Sequence, residues 1–226
     1  MAIIIAFVGQ KGGVGKSTLA RALATSAARA GLTVKTADLD PQQATITVWA
    51  QARDRHKVCP PVNVSAFLSV KDALASAKDE ELLVIDTPCS VSDAIGEVAA
   101  RASLLVQPTS PTIDDLYPGV LVFQALERIG IPRERLAFAL CRTLADEEAS
   151  DARTYLEGLG YAVLNSDIPE HLEYRKAMNR GRAITEADQP DLSARAETMM
   201  ADLLTRGRGT LSAPVRQRQK RRAGAG

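Results

Sequence analysis

Apolar residues in this chain fall in short unbroken blocks, separated by longer stretches where they recur every three or four positions. Ile3–Val8, Thr33–Ala37, Asn63–Phe67, Leu82–Ile85, Leu104–Gln107, Leu136–Leu140 and Ala162–Leu164 have strand length. Between them, helical spacing predicts Lys16–Ala30, Thr45–Arg55, Val70–Ala77, Ser92–Ala100, Asp115–Ile129, Asp146–Leu159 and His171–Asn179. A last helix is predicted over Leu192–Leu204, where Leu192, Ala196, Met199, Met200, Leu203 and Leu204 form one apolar face. Blocks without polar alternation belong to strands buried on both sides. The chain therefore reads as α/β: a single domain with a mostly parallel central sheet and helices on both faces.

In such a sheet the strand C-termini share one edge, and ligands bind there. The polar signals of this sequence fall at that edge: "GQKGGVGKST" after the first block, "DLDPQ" after the second, "DTP" after Leu82–Ile85 and "PTSPT" after Leu104–Gln107. Gly12, Gly13 and Gly15 let successive backbone N–H groups converge on one anion, and the helix that starts at Lys16 adds its dipole. Val14 completes the loop. Lys16 would reach β- and γ-phosphates, Ser17 would place its hydroxyl on Mg²⁺, and Thr18 would meet the α-phosphate. Asp40 and Asp86, each at a predicted strand end, would serve the metal or the attacking water. Position 10, where the usual phosphate loop has its first glycine, is Gln, and a second lysine, Lys11, stands beside it.

Composition narrows the class. The chain has 226 residues and aromatics are only 4%, so the core is built from Ala, Leu, Val and Ile. Cys59, Cys89 and Cys141 are widely spaced with no C-x-x-C pair, which argues against a disulfide framework or an iron–sulfur site and fits a reducing cytoplasm. No apolar run has membrane-spanning length, and the N-terminal block lacks a basic lead, so neither a membrane span nor a signal peptide is expected. Charge is uneven. The whole chain holds 28 basic and 27 acidic residues, but seven of the basic ones follow position 205, which leaves positions 1–204 at −6. A domain over 1–206 and a basic, disordered tail over 207–226 follow. That tail reads equally as a solvated end and as a polyanion contact.

These pieces resemble the ParA/MinD family of deviant Walker ATPases. The resemblance rests on Lys11-Gly12-Gly13-Val14-Gly15-Lys16-Ser17-Thr18, Asp38-Leu39-Asp40-Pro41-Gln42 and Ile85-Asp86-Thr87-Pro88, and the coarse layout agrees over roughly residues 1–204. It implies an ATP hydrolase that is slow and partner-stimulated, with ATP and Mg²⁺ as cofactors. Lys11 would reach across a homodimer with ATP sandwiched at its interface. Lys11, Lys16 and Asp40 would carry catalysis, with Asp40 orienting water; Ser17, Asp40 and Asp86 would surround the metal. Asp115 or Asp114 would match an acid that follows the prolines after the next strand, or would simply start a helix. Pro169 and Glu170 fall where the family closes over adenine.

The resemblance also implies partners. Non-specific DNA would meet Arg175, Lys176, Arg180 and Arg182, with Arg218, Lys220, Arg221 and Arg222 of the tail. A solvated helix face explains the first cluster equally well. A chain that opens directly on the first strand resembles the small ParA type, which relies on a ParB-like or other adaptor for site recognition. Plasmid partition in a nucleoid-associated, cytoplasmic protein is thus the leading expectation, with no membrane contact. Positioning of a protein organelle or conjugation complex, or a P-loop biosynthetic ligase, are the alternatives.

Overall fold

In the computed structural model, which describes residues 2–89 and 93–212, β1 (Ile3–Phe7) takes the middle of an eight-stranded sheet. α1 (Lys16–Arg29) leads to β2 (Val34–Asp38), and α2 (Thr45–Arg55) to the edge strand β3 (Asn63–Ala66). After α3 (Val70–Ala75), β4 (Leu82–Asp86) inserts between β2 and β1. α4 (Asp93–Arg101) then carries the chain to the other side of β1, where β5 (Leu104–Thr109) pairs with it. α5 (Ile113–Arg128), β6 (Leu136–Thr143), α6 (Asp146–Gly158) and β7 (Ala162–Val163) extend the sheet outward. β8 (Ile168–Pro169) pairs with the C-terminal end of β6, and α7 (Leu172–Asn179) and α8 (Pro190–Ser212) close the fold. The order is β3-β2-β4-β1-β5-β6-β7, and every pairing is parallel.

Alternate residues of the central strands feed two cores. Ile3, Ile5 and Phe7 meet Leu19, Leu23, Ile46, Met199 and Leu203 from α1, α2 and α8. Ala6 and Val8, with Leu83 and Ile85, meet Val98, Leu116, Phe123 and Leu156 from α4, α5 and α6. This is the α/β fold the apolar blocks predicted. Register then builds the site, since Phe7 lies beside Asp86 and Asp86 beside Asp38. The glycine loop and two carboxylates are thereby set in one row.

Four strands run past the apolar blocks that announced them. β2 and β4 each end on an aspartate, and β5 and β6 on threonines. Hydrophobicity stops where side chains turn polar, but the backbone ladder continues. β8 was not expected, because two residues carry no periodicity. The largest difference is at the C-terminus. α8 continues beyond Leu204 to Ser212, so residues 207–212 are helix and not tail. Gly207 is the reason that it stays docked: a Cβ there would lie 3.0 Å from the side chains of Ile3 and Ile5. Arg206 pairs with Asp202 one turn earlier at 2.9 Å. Arg218, Lys220, Arg221 and Arg222 lie outside the described residues.

Candidate functional site

The loop after β1 turns through glycines with positive φ, Gly13 at 76° and Gly15 at 116°, a region closed to most side chains. Gly15 also caps α1, and a Cβ there would press on the Cys141 sulfur at 3.3 Å. Lys16 is buried and spans the loop: its Nζ donates to the Lys11 carbonyl at 3.0 Å and approaches Cys89 Sγ at 3.1 Å. Around this loop lies a cavity of about 390 Å³, lined among others by Lys16, Ser17, Arg21, Asp40 and Asp86. Its size and its glycine floor suit an anion.

Ser17 Oγ donates to Asp86 Oδ2 at 2.6 Å, whereas Asp86 Oδ1 is buried with no partner. Burial pushes the Asp86 carboxyl up to about 7, helped by repulsion from Asp38 and opposed by Ser17, Lys16 and Arg21. A buried, half-satisfied carboxylate beside a serine hydroxyl has the donor chemistry of a Mg²⁺ site that borrows its remaining oxygens from phosphate and water. Ser17 and Asp86 would hold that ion, and it would supply charge neutralisation at the phosphates.

Asp38 is completely buried. Its Oδ1 accepts from the Asp40 N–H at 3.1 Å, and its Oδ2 from the Thr47 N–H and hydroxyl at 3.2 and 2.9 Å. It clamps both ends of the segment that carries Asp40, a role the sequence reading missed although it quoted the residue. Asp40 itself is half-buried at the cavity wall, and its Oδ1 accepts from the Gln43 N–H at 3.2 Å. Arg21 was also missed. It lies one helical turn past Ser17 on α1, and that i, i+4 spacing sets it at the same cavity.

Lys11 lies elsewhere. It does not line the phosphate cavity; its Nζ pairs with Asp115 on the first turn of α5 and reaches the Asp114 carbonyl at 3.4 Å. That carbonyl is free for a local reason. Pro118 lies four residues on and has no N–H to donate back to it. Ser110 Oγ donates to the other Asp115 oxygen at 2.6 Å. Burial would raise the Asp115 carboxyl, but the bonds from Lys11 and Ser110 outweigh it and hold it below its ordinary value. Of the two acids, Asp115 is thus the one that engages Lys11 with its side chain, while Asp114 offers only its carbonyl.

On the far side of Gly13, Gly15 and Thr18, a second cavity of about 250 Å³ is lined by Pro169, Glu170 and Met178. Gly13, Gly15, Thr18 and Met178 border both cavities, so the two are neighbours. Glu170 is engaged by Arg142 at 2.8 Å and by Arg175, and their bonds hold its carboxyl below the ordinary range. Arg175, Lys176, Arg180 and Arg182 do cluster, on and just after α7, but each has an acidic neighbour. Lys176 pairs with Glu173 at 2.7 Å, and Arg180 and Arg182 share Asp188 at 3.8 and 2.5 Å. Arg175 is directed to the cavity rim by Glu170.

A family model for the CobQ/CobB/MinD/ParA nucleotide-binding domain matches residues 5–185. The chain belongs to this ParA/MinD family. It is 27% identical over 184 residues to the protein ParA of Rhizobium radiobacter, covering 76% of this chain and 80% of the relative. The fold is similar to that of MinD from Pyrococcus horikoshii complexed with Mg-ADP, at a TM-score of 0.70 and 18% identity, over 89% of this chain and 95% of the other. It is also similar to a chain of the Aquifex aeolicus MinC:MinD cell division complex, at a TM-score of 0.73 and 15% identity, over 89% and 95% of the two chains. The matched model is that of a nucleotide-binding domain, and the family relationship makes the chain an ATPase-type protein. Among the described residues no helix is long and apolar enough to cross a membrane.

Proposed function

We propose that this chain is an ATP-dependent dimer switch that binds DNA non-specifically when dimeric and, with an adaptor protein, partitions plasmid DNA. The observation that carries this reading is the divided use of the two loop lysines. Lys16 is buried in its own phosphate cavity, whereas Lys11 is more than half exposed and held outside that cavity by Asp115. A cation that does not serve its own nucleotide is available to a second subunit's. ATP and the dimer would then stabilise each other by linkage.

In this reading Lys16, Ser17 and the loop N–H groups hold the phosphates, and Asp86 with Ser17 holds Mg²⁺. Asp40 orients the attacking water, and hydrolysis is slow until an adaptor stimulates it. Pro169 and Glu170 bound the adenine side. DNA contact draws on the α7 cluster and on the cations beyond residue 212, a phosphate-directed mode that gives affinity without sequence readout. Because the α7 cations are offset by Glu170, Glu173 and Asp188, the C-terminal cations carry the larger share. The protein would work in the cytoplasm on the nucleoid. The similarity to a Rhizobium radiobacter protein named ParA supports the ParA type within the family.

The test is retention of a DNA fragment of arbitrary sequence with Mg-ATP, with Mg-ADP and with no nucleotide, for the wild type and Lys16→Ala. Retention only by the wild type with ATP is expected. Equal retention in every arm overturns the switch.

A further inference from the structure

Arg21 is a cation at the wall of the phosphate cavity, in the field of Asp86 and Asp38 but, among the described residues, in no ion pair with either. It sits on α1, on from Lys16, and its Nη2 donates to the carbonyl of Thr45 at 2.8 Å. Its guanidinium stacks over Trp49 of α2 at 5.6 Å. Its Nε is buried with no acceptor. Burying a guanidinium donor unpaired is costly, so a fold that keeps one there invites an acceptor from the cavity side. The oxygens at hand around that cavity include the carboxylates of Asp40 and Asp86, the amides of Gln43 and Asn179, the hydroxyls of Ser17 and Thr18, and any phosphate that enters.

The segment Arg21 grips is the one that carries Asp40. Asp40–Thr45 bridges β2 and α2, and it contains Ala44 at φ 47°, a left-handed conformation that a non-glycine residue holds only when its surroundings impose it. Asp38 fastens the segment from β2. Arg21 fastens it from the phosphate-loop helix, next to Ala44.

We propose that Arg21 is a positioning residue for hydrolysis, holding the Asp40–Thr45 segment, and Asp40 with it, against the phosphate cavity. The proposal rests on the reading of the chain as an ATPase with Asp40 orienting water. Arg21 makes one helix responsible for both halves of the geometry: its N-terminus grips phosphate and its second turn sets the distance to the water-orienting carboxylate. A misplacement of about 1 Å at such a carboxylate is enough to lower turnover by about 100-fold.

Single-turnover ATP hydrolysis, KM for Mg-ATP and thermal melting test this in the full chain with Arg21→Met, Arg21→Lys, Asp40→Asn and the double variant Arg21→Met/Asp40→Asn. Arg21→Met should lower kcat by about 10- to 100-fold with KM changed by less than about 3-fold. In the Asp40→Asn background the same change should cost less than about 2-fold, because its effect runs through Asp40. Arg21→Lys, which keeps the charge but not the fork, should recover part of the rate, and it replaces Arg21→Met in the comparison if that variant does not fold. An unchanged kcat, a loss confined to KM, or an equal loss in both backgrounds overturns the proposal. A wild type that hydrolyses no ATP overturns the ATPase reading and this proposal together; turnover in the wild type with unchanged variants overturns Arg21 alone.

Discussion

Lys11 Nζ and the Asp115 carboxylate form an ion pair across 104 residues of sequence, joining the phosphate loop to the first turn of α5. The pair exists because β1 and β5 are neighbours, and because Pro118 leaves the Asp114 carbonyl open to the same ammonium. It holds Lys11 away from its own phosphate cavity. Any use of Lys11 in a second subunit must first break this pair.

Two substitutions therefore act in opposite directions. Lys11→Ala should bind nucleotide with near-wild-type affinity as a monomer but lose ATP-dependent dimerisation. Asp115→Asn removes the competing partner and should lower the protein concentration needed for ATP-dependent dimerisation by about 3- to 10-fold, in keeping with the about 1 kcal/mol of an exposed charge pair. Light scattering across a concentration series with Mg-ATP reads both. Identical behaviour of Asp115→Asn and the wild type contradicts the competition.

Asp40 and Asp86 both line the phosphate cavity, and of the two it is Asp86 that accepts from Ser17. Asp40→Ala should still dimerise with ATP and bind DNA, yet hydrolyse ATP about 100-fold more slowly. Persistent, ATP-dependent DNA retention combined with low phosphate release is the expected pattern. Wild-type turnover in Asp40→Ala would remove it from the reaction.

Arg53 is fully buried and its guanidinium is held by both oxygens of Glu186, at 2.7 and 2.9 Å. Glu186→Gln would strand that cation, at a cost of about 3–5 kcal/mol. Burial alone would raise the Glu186 carboxyl, but bonds from Arg53 and the Ala183 N–H prevail and hold it below its ordinary 4.5. A depressed carboxyl contributes stability at pH above its unfolded value and loses that contribution as pH falls through the folded one. Urea melts should show stability that declines below about pH 5, with this component missing in Glu186→Gln.

Gly207 and Gly209 lie on the same helix in different surroundings. A side chain at Gly207 meets Ile3 and Ile5, while a Cβ at Gly209 meets nothing within 4 Å. Gly207→Val should destabilise by about 1–3 kcal/mol through overpacking. Gly209→Ala should be neutral or stabilising by up to about 1 kcal/mol, since alanine is the better helix former. Chemical denaturation distinguishes them, and equal effects would show that the contact with β1 does not matter.

The end of α8 also sets where a truncation belongs. Removing residues 213–226 spares the helix and should weaken DNA binding, with a smaller salt dependence, while basal ATP hydrolysis is unchanged. A cut after residue 206 would instead remove the Gly207 contact with β1 and confuse unfolding with lost binding. Unchanged DNA affinity after the shorter cut would assign binding to the body of the protein.

What the sequence determined by itself is local. Gly13 and Gly15 need positive φ, Lys16-Ser17-Thr18 must open a helix, and the Leu82–Ile85 block must end in an acid at the ligand edge. Each follows from neighbouring residues and from the period of apolar positions, so the fold class and the local shape of the glycine loop could be read in advance. Tertiary structure alone decided the rest. Lys11 with Asp115, Arg21 with Thr45, and Asp86 beside Asp38 depend on which strands become neighbours and how far α1 and α2 approach. The extent of α8 belongs there too, because a glycine that looks like a helix breaker in sequence becomes the place where a helix can touch β1. Periodicity reports which face of an element is buried; it carries no information about which distant side chain waits on the other side.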